Sequence, residues 1–119
     1  MNEYQENLKK KMDDYAHFIY RLTRNFPTNE LYGVTSQIRR AALSAILNYI
    51  EGYARIKLLV RLNFLEISYG SLKESKYLLH FSLIEEYLSK ENYLIGLKIA
   101  EDIGAMLWTE INNINKTTK

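Results

Sequence analysis

Apolar side chains recur in alternating steps of three and four along most of this chain, and a single proline, Pro27, interrupts them. That spacing is the mark of an amphipathic α-helix, since 3.6 residues per turn bring every third or fourth side chain back to one face. One proline and five glycines leave too few turn formers for an all-β fold.

The spacing predicts a first helix over 3–25, with Leu8, Met12, Tyr15, Ile19, Leu22 and Phe26 in one stripe. Pro27 disfavours helical geometry at Phe26 and ends the element. A short turn over 28–32 follows, with Gly33 able to take a positive φ. Thr35 or Ser36 is the expected N-cap of a second helix over 36–54. Its core stripe is Ile38, Ala42, Ala45 and Tyr49, with Ala41 and Gly52 beside it. Small side chains there invite close approach of a neighbour. Gln37, Arg40, Ser44, Asn48, Glu51 and Arg55 form a polar stripe.

A third helix is predicted over 58–86. Leu58, Leu62, Leu65, Tyr69, Leu72, Leu79 and Leu83 form one stripe; Val60, Phe64, Ile67, Leu78 and Phe81 form another. Gly70 inside it costs roughly 1 kcal/mol against alanine, which close helix contact would justify. Ser89 should cap a fourth helix running to about Asn115, with a polar, fraying end beyond Asn112. Tyr93, Leu97, Ala100, Gly104, Leu107, Ile111 and Ile114 are its stripe. Four helices with short connections predict an all-α fold, an antiparallel up-down-up-down four-helix bundle occupying 1–119 as one domain.

The second and third helices are apolar on two faces. One face suits a bundle core. Leu43, Ile46, Leu47 and Ile50, with Val60, Phe64 and Ile67, are left for another partner, and a second copy of the chain is the expected one.

Several chemistries are poorly supplied. The chain has no cysteine, which excludes disulfides and thiolate metal sites and suits a cytoplasmic protein. Residues 1–11 are polar and lack the apolar core of a secretory signal, and no apolar run is long enough to span a bilayer. Asp14 and His17 make the one acid-x-x-His pair, and His80 has Tyr77 at the matching position, so no di-metal ligand set is expected. No nucleophile elbow or phosphate-binding glycine loop is present, which points away from catalysis and from a bound cofactor. The tyrosines, phenylalanines and Trp108 sit at helical spacing or beside a stripe, predicting core and interface packing rather than base stacking.

Charge is unevenly placed. Between 31 and 65 lie Arg39, Arg40, Arg55, Lys57 and Arg61 against Glu51 alone, whereas 1–30 is balanced and 66–119 is net acidic. Such a basic middle marks these five as candidate phosphate contacts. Internal pairing of Arg40, Glu51 and Arg55, for instance with Glu74, is the competing reading. Lys9, Lys10 and Lys11 are followed by Asp13 and Asp14 and read as a solvated turn.

Two blocks carry a resemblance. The first is Phe26-Pro27, then Glu30 through Ala42, Ser44, Asn48, Glu51-Gly52 and Arg55; the second is Phe64-Leu65 with Ile67 through Glu74. The pattern thins to Tyr87-Leu88-Ser89 and Met106-Leu107. The chain resembles the four-helix bundle family encoded by intervening sequences in bacterial large-subunit ribosomal RNA genes. That broad family includes the accessory variability determinant of diversity-generating retroelements. The resemblance implies a bundle monomer, a ring-like homo-oligomer (a pentamer) and a link to structured RNA. Its retroelement branch implies nucleic-acid binding and partnership with a reverse transcriptase through a basic surface. It carries no catalytic residues. The chain departs from the family at Ala45-Ile46-Leu47, where a proline is common, at Ile50, where a small residue is usual, and at Ile56 through Val60, where the family has a polar loop.

Overall fold

A computed structural model describes residues 1–118. The elements are α1 (Glu3–Thr23), a 3₁₀ turn (Thr28–Glu30), α2 (Val34–Tyr53), α3 (Leu58–Ile84) and α4 (Lys90–Thr118). Consecutive helices pack antiparallel, and α4 closes the square against α1. This is the expected all-α up-down-up-down bundle.

Local chemistry explains the helix ends. Asn2 accepts the Gln5 backbone N–H at 2.8 Å while the Gln5 side chain accepts from Asn2 N–H at 3.0 Å, a reciprocal cap for α1. Ser89 Oγ accepts the Asn92 N–H at 3.1 Å, as expected for the start of α4.

Other ends differ from the sequence reading. α2 begins at Val34 with no side-chain cap, and Thr35 is buried inside it with its hydroxyl unpartnered. Gly33 has φ −107°, so the turn needs no left-handed residue there. The left-handed residue is Glu86, at φ 63°. It ends α3 two residues early by letting Tyr87 N–H reach Ser82 O at 2.8 Å, a Schellman closure without glycine. α4 runs on to Thr118, past the expected end, with Thr117 Oγ1 bonded to Asn113 O at 3.0 Å. Lys119 lies outside the described residues.

The core draws on all four helices. Leu8, Met12, Tyr15 and Ile19 of α1 and Ile38, Ala42, Ala45 and Tyr49 of α2 are buried as their stripes predict. So are Leu62, Leu65, Leu72 and Leu79 of α3 and Ala100, Leu107 and Ile111 of α4. Ile103, absent from the expected stripe, is fully buried too.

Small residues line the buried face of α3, and Ser68 among them meets α2. Ser68, Ser75 and Ser82 recur at seven-residue intervals on α3, and all three are fully buried. Each hydroxyl finds a backbone acceptor: Ser68 donates to Ala45 O at 2.6 Å, Ser75 to Leu72 O and Ser82 to Leu78 O at 2.7 Å. A buried serine satisfied in this way fills little volume, so the helices approach closely. Gly52 meets α3 at the same seam, where an added Cβ would stand 3.2 Å from Phe64 Cβ and 3.3 Å from Arg61 O. Gly70 is the opposite case. An added Cβ there would have nothing within 4 Å, so no close helix contact within the chain accounts for it.

Two residues assigned to second apolar faces belong to the core. Ile46 is 9% exposed and Leu78 7%. In a square bundle each helix has two neighbours, so a second apolar face can be buried within one chain. Ile46 turns into the α1–α2 seam, where it lines a groove with Lys9 and Asp13.

Candidate nucleic-acid interface

The five candidate cations do not form one patch. Arg39 is half-buried. Its guanidinium lies 4.7 Å from the Tyr20 ring centroid, its Nε donates to Thr23 Oγ1 at 2.8 Å, and a terminal nitrogen donates to Tyr20 O at 3.4 Å. It satisfies the last turn of α1, and its donors are largely spent on the fold.

Arg40, its neighbour, is exposed on α2 above a shallow hollow of about 280 Å³ shared with Gln37, Ser44, Ser71 and Glu74. Ser44 and Ser71 bond across the helices at 2.7 Å, and Asn48 Nδ2 donates to Ser44 Oγ at 2.9 Å. The middle of the polar stripe of α2 is thus tied to α3 through Ser44. Among the described residues Arg40 makes no ion pair; Glu74 shares its hollow without bonding to it.

Seventeen residues on, the chain turns from α2 to α3 at the far end of the bundle. At 1.5 Å per helical residue Lys57 lies roughly 25 Å from Arg40. Arg55 is paired with Glu51 one turn back, and its guanidinium sits 5.1 Å from the Phe64 ring centroid. Arg61 is half-buried, with Nε donating to Gly52 O at 3.2 Å and a terminal nitrogen to Arg55 O at 2.8 Å, while its guanidinium covers Tyr53 at 4.6 Å. It satisfies the last carbonyls of α2. Lys57 is exposed and unpaired among the described residues. Segment 55–61 therefore holds three cations and no acid at one end of the bundle.

The expected interface residues divide. Leu47 is 58% exposed, Ile67 51% and Ile50 44%, with Val60 at the margin. Leu43 and Phe64 are half-buried, and Ile46 is core. Ile56 and Leu59 at the α2–α3 turn are also strongly exposed.

One buried carboxyl escaped the sequence reading. Glu110 is buried on α4, where its Oε1 accepts the Tyr49 hydroxyl at 2.7 Å and its Oε2 has no partner. Burial raises its pKa, against the lowering effect of the Tyr49 bond. Burial likewise pushes the Tyr15 hydroxyl up to about 12, though Ser75 Oγ lies 2.8 Å from it. The signal for Glu110 was available: it falls one turn after Met106 and directly before Ile111, at a core position of α4.

His17 is exposed and 3.3 Å from Asp13. Among the described residues no cluster of three or more His, Asp or Glu could hold a metal ion. No helix among them is long and apolar enough to cross a membrane.

Comparison with known proteins places this fold. No curated protein sequence is significantly similar to the chain. Among solved structures, a protein of unknown function from the S23 ribosomal protein family of Bacteroides thetaiotaomicron VPI-5482 superposes with a TM-score of 0.85. It is 22% identical, and the match covers 92% of this chain and 98% of that one, which shows a shared fold. The model of the 23S rRNA-intervening sequence proteins matches residues 5–109. With both sequence blocks inside that match, which reaches into all four helices, the chain belongs to the 23S rRNA-intervening sequence protein family.

Proposed function

We propose that this protein is a non-enzymatic, homo-oligomeric bundle of the cytoplasm that associates with structured RNA through its basic α2–α3 end. The observation that carries this reading is the α2–α3 turn, where the exposed Lys57 stands between Arg55, paired with Glu51, and the half-buried Arg61. Two of these side chains are held by backbone carbonyls, an ion pair and aromatic rings, so phosphate contact would demand little ordering. Arg40 adds a separate cation on the flank. The family's name ties its members to 23S rRNA intervening sequences, which makes folded RNA the natural ligand.

Self-association is supported by the exposed Leu47, Ile50 and Ile67, which form no part of the core. A ring, with five subunits expected, would repeat the basic end and multiply weak contacts into avidity.

Ile56 and Leu59 favour a second reading, because they place exposed apolar surface beside Lys57. On that reading the same end docks a protein such as a reverse transcriptase, and the bundle is an accessory subunit.

An anisotropy titration of labelled structured RNA at low and near-physiological salt tests the first reading, with light scattering on the same sample. Binding should weaken steeply with salt as counterions are released. An Arg40→Ala, Lys57→Ala variant should bind more weakly with its oligomer intact. A well-formed oligomer that ignores RNA at low salt would leave the docking reading standing.

A further inference from the structure

The outer groove between α3 and α4 contains chemistry that neither the core nor the basic end uses. Trp108 of α4 is 51% exposed, although its spacing suggests packing. Its ring lies 5.5 Å from that of Tyr69 on α3, tilted by 39°. The floor beside the two rings is kept low by Ala100, Gly104 and Ala105. Lys73 holds its ammonium 5.2 Å from the Tyr69 ring centroid. One turn further, Lys76 pairs with Glu101 at 3.5 Å, the one carboxylate lining the groove. The hollow is about 260 Å³, just below the roughly 300 Å³ at which small-molecule sites begin, so it suits one flat ring system.

The groove continues with the same chemistry. Tyr69, Lys73, Lys76 and His80 fall at i, i+4, i+7 and i+11, one face of α3. His80 lies 6.4 Å from Tyr93 of α4 and 6.4 Å from Tyr77. Two aromatic clusters thus stand about 16 Å apart along α3, with two lysines between them. Alternating aromatic platforms and cations are what an unpaired nucleic-acid strand requires, since every base has a face to stack and every linkage a charge. A duplex hides its base faces and cannot use Trp108.

We propose that the α3–α4 groove binds single-stranded nucleic acid, a base stacking on Trp108 and Tyr69 while Lys73 and Lys76 hold its phosphates. The inference deepens the nucleic-acid reading above and rests on it for the class of ligand, but it uses a different face and a different form of the ligand.

The chain has one tryptophan, so its tryptophan fluorescence, excited beyond the tyrosine absorption band, reports on this groove. The probe is an oligouridylate of roughly six nucleotides, added to the full chain at low salt, with acrylamide quenching of the free protein as the access control. Acrylamide should reach Trp108, and the oligonucleotide should quench it saturably. Trp108→Ala should weaken binding of a labelled oligonucleotide about tenfold, and Trp108→Phe much less. Lys73→Gln with Lys76→Gln should lower the slope of log affinity against log salt by about 1.4, two phosphates' worth for a single strand. An Arg40→Ala, Lys57→Ala variant should keep the quenching even where it loses structured RNA, which separates the two readings. Three results would overturn the inference. One is a Trp108 that acrylamide cannot reach because a second copy covers it. Another is an accessible Trp108 that the oligonucleotide leaves unquenched. The third is equal quenching by a glutamate-rich peptide of the same charge, which would make the groove a protein-docking site.

Discussion

The Tyr49 hydroxyl of α2 donates to Glu110 Oε1 of α4 at 2.7 Å, inside the bundle and with no cation in the pair. The other carboxylate oxygen is buried and unbonded. Folding therefore favours the protonated acid, and the carboxyl takes up a proton on folding above its ordinary pKa. The native state binds more protons than the unfolded state in that window, so stability falls as pH rises from about 4.3 through the raised value. Glu110→Gln keeps an acceptor for Tyr49 and removes the titration. It should flatten the pH dependence of urea unfolding in this range and stabilise the protein near neutrality by about 1 kcal/mol. A variant whose pH profile matches the parent would sink this account.

Gly70 and Gly52 should respond to alanine with opposite signs. Gly70 lies in open space on an exposed helical face, so Gly70→Ala gains helix propensity, roughly 0.5–1 kcal/mol, and a rise in Tm of a few degrees. Gly52 faces the α3 backbone, and Gly52→Ala must push Arg61 O and Phe64 Cβ outward. There the strain should exceed the gain and lower Tm. Thermal unfolding followed by circular dichroism reads both. If Gly70→Ala left Tm unchanged and split the oligomer, another copy would be packing on that glycine.

Glu86 holds a left-handed conformation that costs a non-glycine residue roughly 1 kcal/mol. Glu86→Gly should relieve it, and part of the gain is offset by the flexibility of glycine in the unfolded chain. A net stabilisation of a few tenths to about 1 kcal/mol is expected from denaturant midpoints. Glu86→Val, whose branched Cβ tolerates φ 63° least, should destabilise.

Arg39 and Arg40 are adjacent in sequence and opposite in role. Arg39→Ala removes the bonds to Thr23 and Tyr20 and the stacking on the Tyr20 ring, and should cost about 1–2 kcal/mol of stability. Arg40→Ala touches nothing in the fold and should leave stability within about 0.5 kcal/mol while weakening RNA association. Urea unfolding and anisotropy on the two variants separate the effects. Equal stability loss in both would contradict the geometry.

Ile67→Glu places a charge on a residue that is half exposed in the single chain. The monomer should tolerate it within about 0.5 kcal/mol, and the mass from light scattering should fall to that of one chain or a smaller assembly. Leu78→Glu, three helical turns further along α3, lies in the core and should instead unfold the protein.

The sequence by itself determined the helices, their order and most of the core, because those depend on a period of 3.6 that each segment carries alone. Leu8, Met12 and Tyr15, or Leu62 and Leu65, need no partner to declare one face. The family was equally legible in the block from Phe26 to Arg55. The serines at 68, 75 and 82 were legible in principle too, since Ser75 and Ser82 are satisfied by carbonyls of their own helix, but the α2 carbonyl that takes Ser68 is supplied only by the fold. Only the tertiary structure decided which cations are free. Arg39, Arg55 and Arg61 sit among basic residues in the sequence, yet the carbonyls, carboxylate and rings that occupy them are brought to them by the fold. It decided as well that Ile46 faces α1 and that Trp108 stands out beside Tyr69, since helix rotation and neighbour choice are set by packing between segments that periodicity treats one at a time.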